Sequence, residues 1–287
     1  MAGTKRSWEG TLLRDNGMQA DTADVTMSDQ SSQILSIFGT FRDELDEHHD
    51  RRERLTKISR DITALSKKII FSLQRVRTLN APLPPNIAKE TTSRFTQILE
   101  LFKTALPDIT TPLHKHRYAR QISPGLQEFI EALSFHHYLE TQTLITIDEV
   151  RARLLDGAVP VSEEDYLMGV FDLTGEMMRF AITSLSTGVI ERSEGAGAQT
   201  ESSIMYPRLA APQAGIVFDL REVRSLAEAL SVPRKHGWMF RDLHKKVEVM
   251  QASVEKVERA AYGVLVRGSE RPAGWMPDLS AEPVEVA

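Results

Sequence analysis

Four acids in two apolar segments carry the clearest chemical pattern in this chain. In LQEFIEALSF (126–135) Glu128 and Glu131 stand three residues apart, and in YLMGVFDLTGEMMRF (166–180) Asp172 and Glu176 stand four apart. Residues at these spacings share one face of an α-helix, so each segment presents a carboxylate pair. Two such pairs facing each other would form an all-oxygen site for a hard divalent cation, Mg²⁺ with Mn²⁺ able to substitute, rather than Zn²⁺. A cation held there lowers the pKa of a bound water and neutralises charge building on a phosphate, which is the chemistry of metal-dependent nucleases. Acids at this spacing are also common on solvated helices, and spacing alone leaves both readings open.

Helical projection at about 100° per residue bears on that choice. Leu126, Phe129, Ile130, Leu133 and His137 fall on one side of the first segment, opposite Glu128 and Glu131. Ala132, Phe135 and Leu139 lie beside the glutamates, so both sides are expected to be covered and the acids partly buried. Burying a carboxylate is costly unless it is paired, protonated or bound to a cation. In the second segment Tyr166, Val170, Leu173, Met177 and Ala181 form the core stripe, while Asp172 and Glu176 share a face with Gly169, Gly175, Arg179 and Thr183. A glycine inside a helix costs roughly 1 kcal/mol relative to alanine, which points to the close approach of a backbone or a substrate. Arg179, three residues from Glu176, is either half of an intrahelical salt bridge or a phosphate clamp beside the metal.

Two basic stretches could meet nucleic acid. LHKHRYARQ (113–121) gathers His114, Lys115, His116, Arg117 and Arg120 around Tyr118, and an aromatic among cations suits a single-stranded backbone and its bases. HHDRRER (48–54) offers Arg51, Arg52 and Arg54, either as phosphate contacts or as a solvated charged turn paired with Asp50 and Glu53. His114 and His116 lack further His or Cys ligands at usable spacing, so no zinc site is expected there.

The apolar pattern supplies a helical scaffold for these groups. From Asp29 onward, Ile34, Phe38, Phe41 and Leu45, then, after a gap near His48 to Arg54, Leu55, Ile58, Ile62, Leu65, Ile69, Leu73 and Val76, recur at three- and four-residue steps. This predicts one amphipathic helix of about 50 residues, far beyond the usual length and of the kind that lies in a bundle or crosses a subunit interface. APLPP (81–85) ends it. A second helix is expected over about 86–105, stopped by Pro107, then the first acid helix, a short helix over about 146–155 and a turn at 157–160. Ser162, with Asp165 in place of the usual glutamate, reads as a capping-box start for the second acid helix, which is expected to end near Gly188. A mobile loop over about 187–214 and helices over about 215–231 and 234–266 complete the reading. No strand alternation of useful length is seen. Residues 1–28 read as a disordered arm and 272–287 as a flexible acidic tail. Residues 29–271 then form an all-α, single-domain bundle of about seven helices with one very long N-terminal helix.

The 287 residues are 41% hydrophobic and 26% charged, an ordinary globular composition, with a formal net charge of −5. Nucleic acid would therefore need a local basic patch or a surface shared with a partner. The absence of cysteine excludes disulfides, thiolate metal sites and cysteine nucleophiles. No apolar run approaches the roughly 18 residues a membrane span needs, and the N-terminal stretch is not signal-like. A soluble, cytoplasmic protein without membrane contact is expected; Lys5 and Arg6 are a sparse import signal, and a nuclear fraction stays open.

Longer segments carry a resemblance. FRDELDEHHDRRERLTKISRDITALSKKIIFSLQR, GLQEFIEALSF, DYLMGVFDLTGEMMRFAI and YGVLVRGSERP, spread from about residue 33 to 271, resemble the TRAX-type branch of the translin family. The resemblance implies an all-α fold closed with translin-type subunits into a hetero-oligomeric shell. It also implies a Mg²⁺-dependent endoribonuclease acting on enclosed RNA, such as passenger strands of small interfering RNA and transfer-RNA maturation fragments, with the TRAX-type subunit as the catalytic one. Matched onto this sequence, it makes Glu128 and Glu131 of QEFIEA and Asp172 of DLTGE metal ligands or water activators, and Glu176 of the same DLTGE the supporting fourth acid. Arg117, Arg120, Arg179, Arg51, Arg52 and Arg54 are the candidates for holding RNA. The alternatives from other classes are a non-catalytic scaffold that stabilises translin through the long helix, and a subunit that binds nucleic acid without turnover.

Overall fold

The computed structural model describes residues 24–187, 191–193, 206–230 and 242–267. Among the described residues seven helices run in order: α1 (Asp24–Leu73), α2 (Pro85–Ile109), α3 (Pro112–Thr141), α4 (Ile147–Arg153), α5 (Glu163–Thr187), α6 (Ala211–Glu228) and α7 (Leu243–Arg267). The long first helix spans 50 residues, as the apolar repeat requires. Between α5 and α6, two short strands, β1 (Glu191–Ser193) and β2 (Tyr206–Arg208), pair antiparallel with Arg192 opposite Pro207.

The chain divides into two compact units, residues 1–50 and 51–287. In the first, Ile34, Phe38, Phe41 and Leu45 keep the predicted stripe on α1 and are all exposed. In the second, α3 and α7 both pack on α5, α6 packs on α5 and α7, and α2 packs on α3. Leu126, Phe129, Ile130 and Leu133 are buried on one side of α3, and Ala132, Phe135 and Leu139 are buried on the other. Full burial of a Leu or Phe contributes about 1.5–3 kcal/mol, so a helix covered on both faces is held firmly by packing alone. Val170, Leu173, Met177 and Ala181 bury the matching stripe of α5.

Several boundaries differ from the sequence reading. Pro107 lies inside α2, which continues to Ile109, and Thr110 N–H then donates to Leu106 O at 3.1 Å. The 187–214 stretch, expected as one loop, contains β1, β2 and the start of α6. Pro212 in the first turn of α6 explains the earlier start, since a missing N–H costs nothing there. Residues 188–190 and 194–205 of that stretch lie outside the described residues, as do residues 1–23 of the expected arm, 231–241 and the expected tail.

Candidate functional site

Three local devices set α3 in register with α1 and α5. Pro124 sits inside α3, where it has no N–H to donate and its ring crowds the preceding turn. Ser59 of α1 compensates: Gly125 N–H donates to Ser59 Oγ at 2.9 Å, and a Cβ on Gly125 would stand 2.7 Å from Ser59 O. Only a residue without a side chain lets α1 and α3 approach here, one turn before Glu128. At the start of α5, Asp165 N–H donates to Ser162 Oγ at 3.0 Å, and Ser162 Oγ donates to Asp165 Oδ2 at 2.7 Å. Asp165 Oδ1 also accepts from Ser123 and, at 3.0 Å, from Gln127 Nε2. The capping acid legible in the sequence therefore ties α5 to α3. One turn on, a Cβ on Gly169 would meet Ile130 Cγ2 at 2.7 Å and Gln127 O at 3.0 Å, which accounts for the first of the two helix glycines.

These contacts bring Glu128, Glu131, Asp172 and Glu176 onto one cavity of about 700 Å³. Lys67 and Phe71 of α1, Gln74 just after it, Gly175 and Arg179 of α5, and Lys246 and Val249 of α7 also line it. Gly175, the second helix glycine, faces open space, and a Cβ there would touch nothing within 4 Å.

Glu131 is buried, 8% exposed, and, unlike Glu176, which is as enclosed, accepts no hydrogen bond from a described residue. Burial first, then the charges of Asp172, Glu128 and Glu176, push its carboxyl up from 4.5 to about 8, with Lys246 opposing. Burial also raises Glu128, opposed chiefly by Lys67, whose Nζ lies 3.3 Å from Oε1. Asp172 is paired with Lys246 Nζ, and Glu176 with Arg179. Gln74 Nε2 donates to Glu176 Oε2 at 2.7 Å and to its backbone O at 3.1 Å.

Among the described residues, no three Asp, Glu, His or Cys side chains are gathered closely enough to hold a metal ion as they stand. Lys67, Arg179 and Lys246, from three different helices, sit on the acid oxygens instead. The donor set is nevertheless all oxygen, with a buried carboxylate that lacks a donor among three others, and this chemistry fits a hard divalent cation rather than a soft one. The salt-bridge reading of Arg179 is the one realised in the structure.

The remaining arginines separate. Arg51 and Arg54 both bind Asp108 of α2, at 3.2 and 3.0 Å, and Arg51 also lies 5.9 Å from the Tyr118 ring centre. These two hold α1, α2 and α3 together, and their buried counter-ion is an acid that sequence proximity did not indicate. Arg52 and Arg120 instead meet Arg60 in a second groove of about 330 Å³, with Thr56, Thr63 and Gln121 and no acid among its lining residues. Arg117 is exposed and lines neither cavity. The sequence reading omits Lys67, Gln74, Lys246, Arg60 and Asp108. For the first two a signal exists: Lys67, Phe71 and Gln74 follow at four and three residues, and Gln74, just past the end of α1, extends its last turn with N–H to Ile70 O at 2.9 Å, so the three share one side.

A sequence profile described as the Translin family matches residues 50–268, which include all four acids and both cavities. The chain belongs to the translin family. Among translin-family relatives, Translin-associated protein X of Pongo abelii is 30% identical over 280 residues, covering 89% of this chain and 87% of its own length. The Translin-associated protein X homolog of Schizosaccharomyces pombe is 27% identical over 235 residues, covering 82% of this chain and 89% of its own. The crystal structure of apo-NeC3PO shares the fold, with a TM-score of 0.54 at 18% identity over 77% of this chain and 94% of that one. No helix among the described residues of this translin-family chain is long and apolar enough to cross a membrane.

Proposed function

We propose that this translin-family chain is the catalytic subunit of a hetero-oligomer with translin-type subunits, cleaving single-stranded or small RNA by Mg²⁺-dependent phosphodiester hydrolysis. The observation that carries this reading is the convergence of Glu128, Glu131, Asp172 and Glu176 on one cavity within the family-matched region. A translin-type partner is supported by the relatives, which are named for association with translin.

A divalent cation bound in the cavity supplies a water of lowered pKa and neutralises charge on the phosphate. Glu128, Glu131 and Asp172 would hold that cation or activate its water in this reading. Glu131, enclosed and without a hydrogen-bond donor among the described residues, has its oxygens open to such a cation or to its water. Glu176, clasped by Gln74 and Arg179, keeps its place as the supporting fourth acid. Lys246 and Arg179 become available to phosphate oxygens once the acids they now neutralise are compensated. Arg52, Arg60 and Arg120 offer a separate contact for the RNA backbone.

A second reading rests on the ion pairs themselves. Lys67, Arg179 and Lys246 already offset three acids, as in a charge network that joins helices in a non-catalytic scaffold or nucleic-acid-binding subunit. The reconstituted complex separates the two readings. A nuclease cleaves RNA only with Mg²⁺ and loses cleavage in excess EDTA and in assembled Glu131→Ala or Asp172→Ala complexes. Cleavage that survives both variants rejects the site. Salt-dependent RNA binding by the wild-type complex with no turnover supports the second reading.

A further inference from the structure

Phe71 is out of place on thermodynamic grounds. It is 74% exposed, the largest exposure of any described large hydrophobic side chain in the chain. The core positions around it on α1 are filled by Ile69, Ile70 and Leu73, all buried, so its ring adds nothing to packing. It lines the acid cavity, and its place there is fixed by its neighbours on the same helix face. Lys67, four residues before it, contacts Glu128, and Gln74, three after it, contacts Glu176. Val249 of α7, also exposed, stands on the same cavity wall. The cavity thus joins an apolar rim to four carboxylates and three cations, a combination that suits a ligand with a flat apolar part attached to a phosphate.

We infer that Phe71 is a base-stacking residue: an unpaired nucleobase lies on its ring while the adjoining phosphate faces the acid cavity. This inference rests on the function proposed above and deepens it by naming the residue that would hold an unpaired base of the substrate. In a duplex the faces of a base are covered by its neighbours, whereas a single strand offers them freely. Every base has a π-face, so stacking on Phe71 selects unpaired nucleotides with little preference among bases.

The test uses the full-length chain assembled with its translin-type partner, in EDTA, so that binding is read without cleavage. A single-stranded oligouridylate carrying 5-iodouridine is irradiated and the cross-linked peptide identified. The expected cross-link is on Phe71, retained in Phe71→Trp and lost in Phe71→Leu. Affinity for unmodified oligouridylate is expected to fall about 5- to 150-fold in Phe71→Ala, while an abasic oligomer of equal length binds both proteins alike. Cross-links confined to other residues, or equal losses for normal and abasic strands, overturn the inference. Failure of Phe71→Ala to assemble also overturns it, since Phe71 would then be a contact to the partner protein. Adding Mg²⁺ separates this inference from the parent reading. Cross-linking at Phe71 without any cleavage removes the nuclease and keeps the base site, and cleavage without the cross-link does the reverse.

Discussion

Lys246 of α7 is ion-paired with Asp172 of α5 inside the acid cavity. A protein cation therefore stands where the proposed function requires a divalent one, and the two compete for the same carboxylate. Both side chains are about a third exposed, so the pair contributes at most about 1 kcal/mol. Replacing Lys246 by Met, which keeps the stem and removes the charge, is expected to tighten Mn²⁺ binding about two- to fivefold by calorimetric titration. Unchanged or weaker binding would show that the ammonium is not the competitor.

Glu131 makes stability depend on pH in a direction opposite to that of most carboxylates. Unfolded, the group ionises near 4.5; folded, it holds its proton up to about 8. Below the lower value both states are protonated and Glu131 exerts no effect. Between the two, the folded state binds more protons than the unfolded state, so stability falls as pH rises, and above the upper value the deficit is constant. In EDTA, Glu131→Gln is expected to raise Tm at pH 8 and to flatten the slope between pH 5 and 8. Equal slopes for the two proteins would contradict the assigned burial.

The two glycines of α5 are expected to respond in opposite ways. Gly169→Ala places a methyl against Ile130 and the Gln127 carbonyl, and overpacking of this kind costs about 1–3 kcal/mol. Gly175→Ala meets nothing and gains up to about 1 kcal/mol of helix propensity. Thermal denaturation should therefore lower Tm for the first and leave or raise it for the second.

Arg51 and Arg54 belong to the fold, while Arg52, Arg60 and Arg120 do not. Asp108→Ala removes the enclosed carboxylate that Arg51 and Arg54 share, and breaking such a pair costs about 3 kcal/mol. Arg52→Ala or Arg60→Ala should change stability by no more than about 0.5 kcal/mol. Urea midpoints at constant m-value check both statements. The groove variants should weaken RNA binding and lower its salt dependence instead.

The seven helices were legible because their apolar residues recur at three and four steps, and the double-sided burial of α3 follows from Ala132, Phe135 and Leu139 lying beside the glutamates. The Ser162–Asp165 cap was legible as a local pattern, although its bonds to Ser123 and Gln127 were not. What escaped is long-range. Lys246 lies 74 positions from Asp172, and Arg54 lies 54 from Asp108, distances over which spacing carries no information. Pro107 read as a stop but lies inside α2, and Pro124, which lies inside α3, is accommodated by a partner from another helix, Ser59, that accepts the neighbouring N–H. The β1–β2 ladder is three residues a side, too short for alternation to show.

Anomalous diffraction from Mn²⁺-soaked crystals of the full-length complex tests the central claim most directly. The account expects a Mn²⁺ peak bracketed by Glu128, Glu131 and Asp172, with Lys246 turned away from Asp172. A cavity without such a peak, with Lys246 still on Asp172 at saturating Mn²⁺, would contradict it.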